Sequence, residues 1–333
     1  MKILISLLFM VTFVLSQDGE ISGVVHYNYS YDLKEDAKDS NGFGLSRAYF
    51  TYKKNISDEL SYTFQTDVGQ LKVVNMDEDE PIDTKTQFVA YLKKAYVGWK
   101  SPIGKLSIGL QGMNVFNITE KTWGFRFLEK SPMDLHNFSS SADMGIGYSG
   151  KINIINYHVT ITNGTGYKKS EDDKYKKLAT QFVYGEKKLV KNDGYNLGLV
   201  YTMESYDISE NTTESTTVMS IFGGYASSCP IFASNSFRIG SEYDMMKDSG
   251  SDVTSQIMAF YGSYKLSDSI EGLLYYDMYD PDTNTEKDGF NYMILGVNYY
   301  ATKGLVITPN IRTKTFEEGK ATTYFKLNFQ FKF

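Results

Sequence analysis

The chain has 333 residues, with 40 acidic and 34 basic side chains for a formal net charge of −6, one cysteine, 27 tyrosines and 21 phenylalanines. The sign of the charge disfavours a nucleic-acid partner, and Cys229, read as a passive turn residue, has no second cysteine for an internal disulfide. Beyond Ser16 no apolar run approaches the ~18–20 residues a spanning helix needs. Yet aromatics reach 15% while mean hydropathy is −0.34. A transmembrane β-barrel combines the two, because only alternate residues face lipid and the interfacial girdles take up aromatic rings.

Met1-Lys2 followed by the apolar run Ile3 to Leu15 predicts a signal peptide over 1–16, cleaved before Gln17. The run is too short for a spanning anchor, and no cysteine stands at the cleavage point to mark a lipoprotein. Residues 17–333 then form one domain with a net charge of about −7, without linker or short-period repeat. Its length suits about sixteen strands.

Period-two alternation begins at once. Ile21, Gly23, Val25, Tyr27, Tyr29 and Tyr31 share one face, and His26 and Asn28 the other. Gly44, Ser46, Ala48, Phe50 and Tyr52 alternate with Leu45, Arg47, Tyr49, Thr51 and Lys53. After a tight turn at Asn55-Ile56-Ser57-Asp58, which makes the neighbours antiparallel, Leu60, Tyr62, Phe64 and Val68 oppose Ser61, Thr63, Gln65 and Asp67. Further strands are expected over 85–99, 104–111, 142–149, 152–163, 178–187, 194–205, 215–226, 236–246, 253–265, 269–280, 289–300, 304–315 and 321–333. Short links near Ser101-Pro102, Ser149-Gly150, Asn192-Asp193-Gly194, Cys229-Pro230, Ser267-Asp268 and Thr302-Lys303-Gly304 alternate with longer polar ones near 32–42, 71–84, 164–177, 206–214, 247–252, 281–288 and 316–320. That rhythm fits periplasmic turns and extracellular loops of an up-and-down antiparallel barrel. Acid runs such as Asp77-Glu78-Asp79-Glu80 and Glu171-Asp172-Asp173 read as solvated loop, without the ligand spacing of a calcium-binding loop. Lys93 and Lys94 cannot both face the lumen in a regular strand, which marks a bulge there.

The longest link, 112–141, differs from the rest. It holds Asn114-Val115-Phe116 and the run Trp123-Gly124-Phe125-Arg126-Phe127-Leu128-Glu129-Lys130-Ser131-Pro132-Met133-Asp134. A loop in water gains nothing from that composition. Folded into the lumen, it would bury Trp123, Phe125, Phe127 and Leu128 against the wall and turn its charges to the remaining aperture. The constriction residues expected from it are Arg126, Lys121, Glu129, Lys130 and Asp134, with Arg126 either selecting ions or pinning the loop through a wall carboxylate. Parity places Arg47, Asp67, Lys94, Lys105, Arg238, Glu242 and Asp244 in the pore lining. The chain closes on a ladder, Phe325, Leu327, Phe329, Phe331 and Phe333 on one face with Lys326, Asn328, Gln330 and Lys332 on the other.

Three stretches carry a family likeness: Leu45-Ser46-Arg47-Ala48-Tyr49-Phe50 with Leu60 to Gly69, Leu92-Lys93-Lys94-Ala95-Tyr96-Val97, and Trp123-Gly124-Phe125-Arg126 through Ser140-Ser141-Ala142-Asp143-Met144-Gly145. In these the chain resembles the sixteen-stranded outer-membrane general porins, in particular relatives of the phosphate-selective porins O and P. The resemblance implies a homotrimer whose third loop narrows each pore. Phe333 likewise resembles the C-terminal signal read by the outer-membrane barrel assembly machinery. The chain departs from an anion-specific member in having only four arginines, Arg47, Arg126, Arg238 and Arg312, too few for a row of cationic donors around one oxyanion.

The expectation is an outer-membrane diffusion channel of a Gram-negative (diderm) bacterium, contacting lipid and lipopolysaccharide, with ion transport of weak charge selectivity and no cofactor. A surface adhesin or scaffold is the competing class, and a phosphate-selective porin the narrower variant. A hydrophobic-substrate channel would carry an N-terminal plug, for which 17–20 leaves no room. Enzyme chemistry is disfavoured. His26, His136 and His158 stand without a Gly-x-Ser-x-Gly frame, even though Ser139, Ser140 and Ser141 follow His136, and neither His-x-x-x-His nor a Cys pair offers a metal site.

Overall fold

The computed structural model describes residues 19–33, 41–77, 80–229 and 235–333. The expected leader, the Pro230 turn, Glu78-Asp79 and most of 32–42 lie outside them. Sixteen antiparallel strands close into one barrel in sequence order, each paired with its chain neighbours and the first with the last. They are β1 Gly19–Asp32, β2 Gly42–Asn55, β3 Leu60–Asp77, β4 Glu80–Ser101, β5 Gly104–Gly112, β6 Ala142–Ile152, β7 Ile155–Thr162 and β8 Lys177–Gly185, then β9 Gly194–Ser209, β10 Thr212–Cys229, β11 Asn235–Asp248, β12 Val253–Lys265, β13 Ile270–Asp280, β14 Phe290–Thr302, β15 Leu305–Phe316 and β16 Thr322–Lys332. Two short helices, α1 Asn117–Trp123 and α2 Pro132–Leu135, belong to the long link between β5 and β6.

The outer surface reverses that of a water-soluble protein. Ile146, Ile161, Leu197, Leu199, Ile221, Ile239, Leu274, Leu295 and Ile311 all point outward and are exposed. Toward the short-turn rim the outward positions turn aromatic, with neighbouring rings from adjacent strands at Tyr148–Tyr157, Tyr184–Tyr195 and Tyr225–Phe237, 5.5–6.0 Å between centroids. Only hydrocarbon flanked by an interfacial layer suits such a belt.

The barrel closes through a β1–β16 ladder from Val24↔Lys332 to Asp32↔Tyr324, and the last residue extends it. The Phe333 N–H donates to the Gly23 carbonyl (3.2 Å) and the Gly23 N–H to the Phe333 carbonyl (3.1 Å). The Phe333 ring lies over Gly23, where any Cβ would collide with it.

Four expectations change. The 71–84 and 206–214 connections are strand over most of their length, because the β3–β4 ladder runs to Asp77↔Glu80 and β9–β10 to Thr212↔Ser209. β-Branched Val73, Val74, Ile82 and Thr84 favour the first extension. In the second, Thr213 Oγ1 donates to Asp207 (2.8 Å), and Tyr175 from the preceding loop joins both. The turn placed at Ser149-Gly150 falls at Asn153-Ile154 instead: Gly150 pairs with Tyr157 inside the ladder, and Asn153 takes the positive φ of 53° that Asn tolerates. In β2 the register skips Ser46, passing from His26↔Arg47 to Tyr27↔Leu45, so the phase expected for Gly44 and Leu45 inverts while Arg47 onward keeps its own.

The bulge at Lys93-Lys94 is present. Pairing goes from Gln65↔Lys94 to Thr66↔Leu92, and Lys93 is the extra residue. Both side chains reach the interior: Lys93 Nζ donates to Ser141 Oγ (2.6 Å) on the loop, and Lys94 Nζ lies beside Gly112.

Candidate functional site: a loop-narrowed lumen

Residues 113–141 fold into the barrel, and two apolar clusters explain why. Val115, Phe116, Ile118, Met133 and Phe138 pack on Ala179, Val183, Val200, Val218, Phe222, Ile257 and Ala259. Trp123, Phe125, Phe127 and Leu128 pack on Tyr261, Leu273, Tyr275, Tyr292, Ile294 and Val306. The loop thus leans on the inner wall from β8 to β15. Trp123, the largest fully buried side chain, meets Phe125 edge-on at 5.1 Å and Tyr275 at 5.2 Å. Within α1 the buried residues are Ile118, Thr119, Thr122 and Trp123, a spacing that puts them on one face, and Lys121 stays exposed. Gly124 ends the helix in the left-handed region (φ 79°), its N–H donating to the Glu120 carbonyl (2.9 Å). Pro132 opens α2 at its first turn.

Polar tethers complete the attachment. Arg312 on β15 is 1% exposed and spends all five donors: Nε on Asn310 (2.7 Å), Nη1 on Glu129 (2.7 Å) and Tyr292 (3.1 Å), Nη2 on the Leu128 carbonyl (2.8 Å) and Asn328 (3.3 Å). Asn328 in turn donates to the Phe127 carbonyl (2.9 Å). Arg238 donates to the Trp123 carbonyl (3.1 Å) at the end of α1 and lies 5.0 Å over the Phe125 ring. His136 meets Asp277 at 3.3 Å and stacks on Tyr279 at 4.0 Å. Asn114 donates to the His158 (2.7 Å) and Ala179 (3.2 Å) carbonyls.

Between the loop and the β1–β2–β15–β16 wall lies a gap of about 190 Å³, bordered by Arg47, Arg126, Glu129, Lys130, Arg312 and Lys326 among others. Arg126 is ion-paired to Glu120 (2.9 Å) and Asp134 (2.6 Å). Burial works against its charge, but Glu120 and Asp134 outweigh it and hold the guanidinium above its ordinary pKa. Lys130 reaches Asp134 at 3.7 Å. Across the gap Arg47 faces Asp67 at 3.7 Å and lies 4.4 Å over the Tyr49 ring, while buried Asp67 accepts from the Val68 N–H (2.9 Å) and Tyr91 (3.3 Å). Lys94 lies within electrostatic reach of Glu120, Lys53 and Arg47. Lys105 lies inside, beside Gly98, toward the short-turn rim.

The expected site residues therefore divide. Arg47, Arg126, Glu129 and Lys130 border the opening, with Asp67 and Asp134 ion-paired to its two arginines and Lys94 within electrostatic reach of Arg47. Arg238, Glu242 and Asp244 face inward as parity requires but are buried under the loop, so they do not border it. Glu129 borders the opening with its carboxylate held by Arg312 and Tyr292, at 2.7 and 3.0 Å. Reading the sequence missed Arg312 as the main anchor, although Thr308, Asn310 and Arg312 alternate with Ile307, Pro309 and Ile311. It also missed Glu120 as a partner of Arg126. The serines after His136 bond elsewhere, Ser139 to the Ser140 carbonyl, Ser140 to the Ala142 carbonyl and Ser141 to Lys93.

A closed sixteen-stranded antiparallel barrel with the link after its fifth strand folded inside is the porin fold. Solved structures similar to it include an anion-selective porin from Comamonas acidovorans (12% identity, 95% of this chain and 99% of that one, TM-score 0.64) and OmpF of Salmonella typhi in complex with daunomycin (12%, 95% and 97%, 0.63). The trimer form of OmpT, an outer membrane protein of Vibrio cholerae, is similar as well (11%, 95% and 99%, 0.60). At these identities the likeness is one of fold. No protein-family model and no curated protein sequence matches the chain.

Proposed function

We propose that this protein is an outer-membrane porin, a passive channel for ions and small hydrophilic solutes that pass the gap left by the inward loop. The observation that carries this reading is the loop's one-sided packing: it fills the lumen along β8–β15 with apolar side chains and leaves a charged opening along β1, β2 and β16. Selection is by size, with weak charge preference. Arg238 is spent behind the loop, Arg312 borders the gap with every donor committed, and Arg126 and Arg47 each face carboxylates. Opposite charges across a water-filled gap give a transverse field rather than a phosphate trap, so the general porin is favoured over the phosphate-selective variant. In this reading the leader 1–16 directs export, Phe333 is the assembly signal, lipopolysaccharide surrounds the long-loop rim and the working unit is a homotrimer.

Single-channel recording of the purified protein in a planar bilayer, under a salt gradient, tests the proposal. Discrete long-lived steps are expected, grouped in threes for a trimer, with a small reversal potential. Folded protein that inserts without conductance would replace the channel with a surface scaffold.

A further inference from the structure

Under α1 lies an arrangement that the channel reading does not use. Glu242 and Asp244, two apart on β11, both point inward beneath the helix and are 3% and 0% exposed. Thr119 of α1 and Tyr261 of β12 face Glu242; Ser220 of β10 faces Asp244; and the two carboxyls face each other. Among the described residues, none of the four carboxylate oxygens completes a hydrogen bond, nor do the buried Tyr261 hydroxyl and Ser220 Oγ. No described lysine or arginine forms an ion pair with either acid. Arg238, further along β11, is committed to the Trp123 carbonyl. Two buried carboxyls with no counter-charge and six converging unpartnered oxygens are costly as they stand.

We propose that this cradle binds a hard divalent cation of the calcium class, pinning α1 to the wall. The donor set is oxygen only, with two carboxylates for charge and hydroxyls from two further strands to complete the shell, which matches the six to eight oxygens that calcium takes. Magnesium, which holds its waters and demands an octahedron, suits an enclosed all-protein cradle less well. Because the ligands lie on β10, β11 and β12 with Thr119 of α1 above them, occupancy ties the loop's first helix to three strands at once. The cation then fixes the width of the opening from behind.

The test uses the full-length folded protein, stripped with chelator and titrated with terbium, whose emission Tyr261 can sensitise, and in parallel with calcium by calorimetry. One saturable equivalent is expected. Glu242→Gln/Asp244→Asn should lose it at least tenfold, and Tyr261→Phe should dim the emission more than it lowers calcium occupancy. Calcium should raise the unfolding temperature of the stripped wild type and leave that of the double variant unchanged, with heat-modifiable gel migration showing that each barrel is folded. Equal binding by wild type and double variant would place the cations on the acidic outer loops and overturn the proposal. Absence of any saturable binding would overturn it as well, leaving the two acids to share protons. If the double variant fails to fold, Tyr261→Phe decides by the same emission readout.

Discussion

Arg126 and Arg312 share a chemistry and differ in surroundings, and their removal should have different consequences. Arg126→Ala leaves Glu120 and Asp134 facing the gap without their shared cation. One unit charge at ~4 Å in water is worth on the order of 1 kcal/mol, so the cation-to-anion permeability ratio should rise roughly fivefold. The shift should shrink as ionic strength rises. An unchanged reversal potential at low salt, with unchanged conductance, would remove Arg126 from the constriction. Arg312→Ala instead leaves Glu129 without its counter-charge and removes one donor each from the Leu128 carbonyl and Asn328. Breaking a buried pair by deleting one partner costs ~3–5 kcal/mol, so the denaturant midpoint should fall and channel current should grow noisy. Arg312→Lys should recover little, since an ammonium cannot reproduce a fork with five donors.

At the scale of elements, the loop is held by its apolar side as much as by its tethers. Trp123→Ala removes a side chain wedged between Phe125, Tyr261 and Tyr275, at a cost of ~3–5 kcal/mol. The strands should survive, because their ladders do not involve Trp123. The expected signature is an unchanged far-UV CD spectrum with a larger and more variable unit conductance; a wild-type conductance histogram would contradict it. All sixteen strands were legible in the sequence because one-sided burial writes a period of two. The loop was legible because Trp123, Phe125, Phe127 and Leu128 have no place in water. What receives it was written less openly. Phe182-Val183, Leu199-Val200, Ile221-Phe222, Leu273-Leu274 and Ile294-Leu295 are apolar doublets that interrupt the alternation, one member of each facing out and the other facing the loop. Such doublets resemble noise until the partner is known. The exact pairing of Arg126 was not legible, since Glu120 and Asp134 reach it through two helices that no periodicity announces.

For the whole molecule, closure and bracing are separable. The β1–β16 seam that completes the ring of hydrogen bonds ends where Phe333 meets Gly23, and the Phe333 ring covers that glycine. Gly23→Val would displace the ring while leaving the backbone able to pair. Refolding into detergent should slow and the heat-modified gel species should appear at lower temperature; wild-type behaviour in both would show the ring contact to be dispensable. The packed loop, for its part, presses its apolar side chains on β8 to β15 from within and meets β1 and β2 across the gap. A tube propped over half its circumference bends first in the other half. Squeezed by the surrounding bilayer, this one would flatten along its unpropped arc, the same arc that borders the passage.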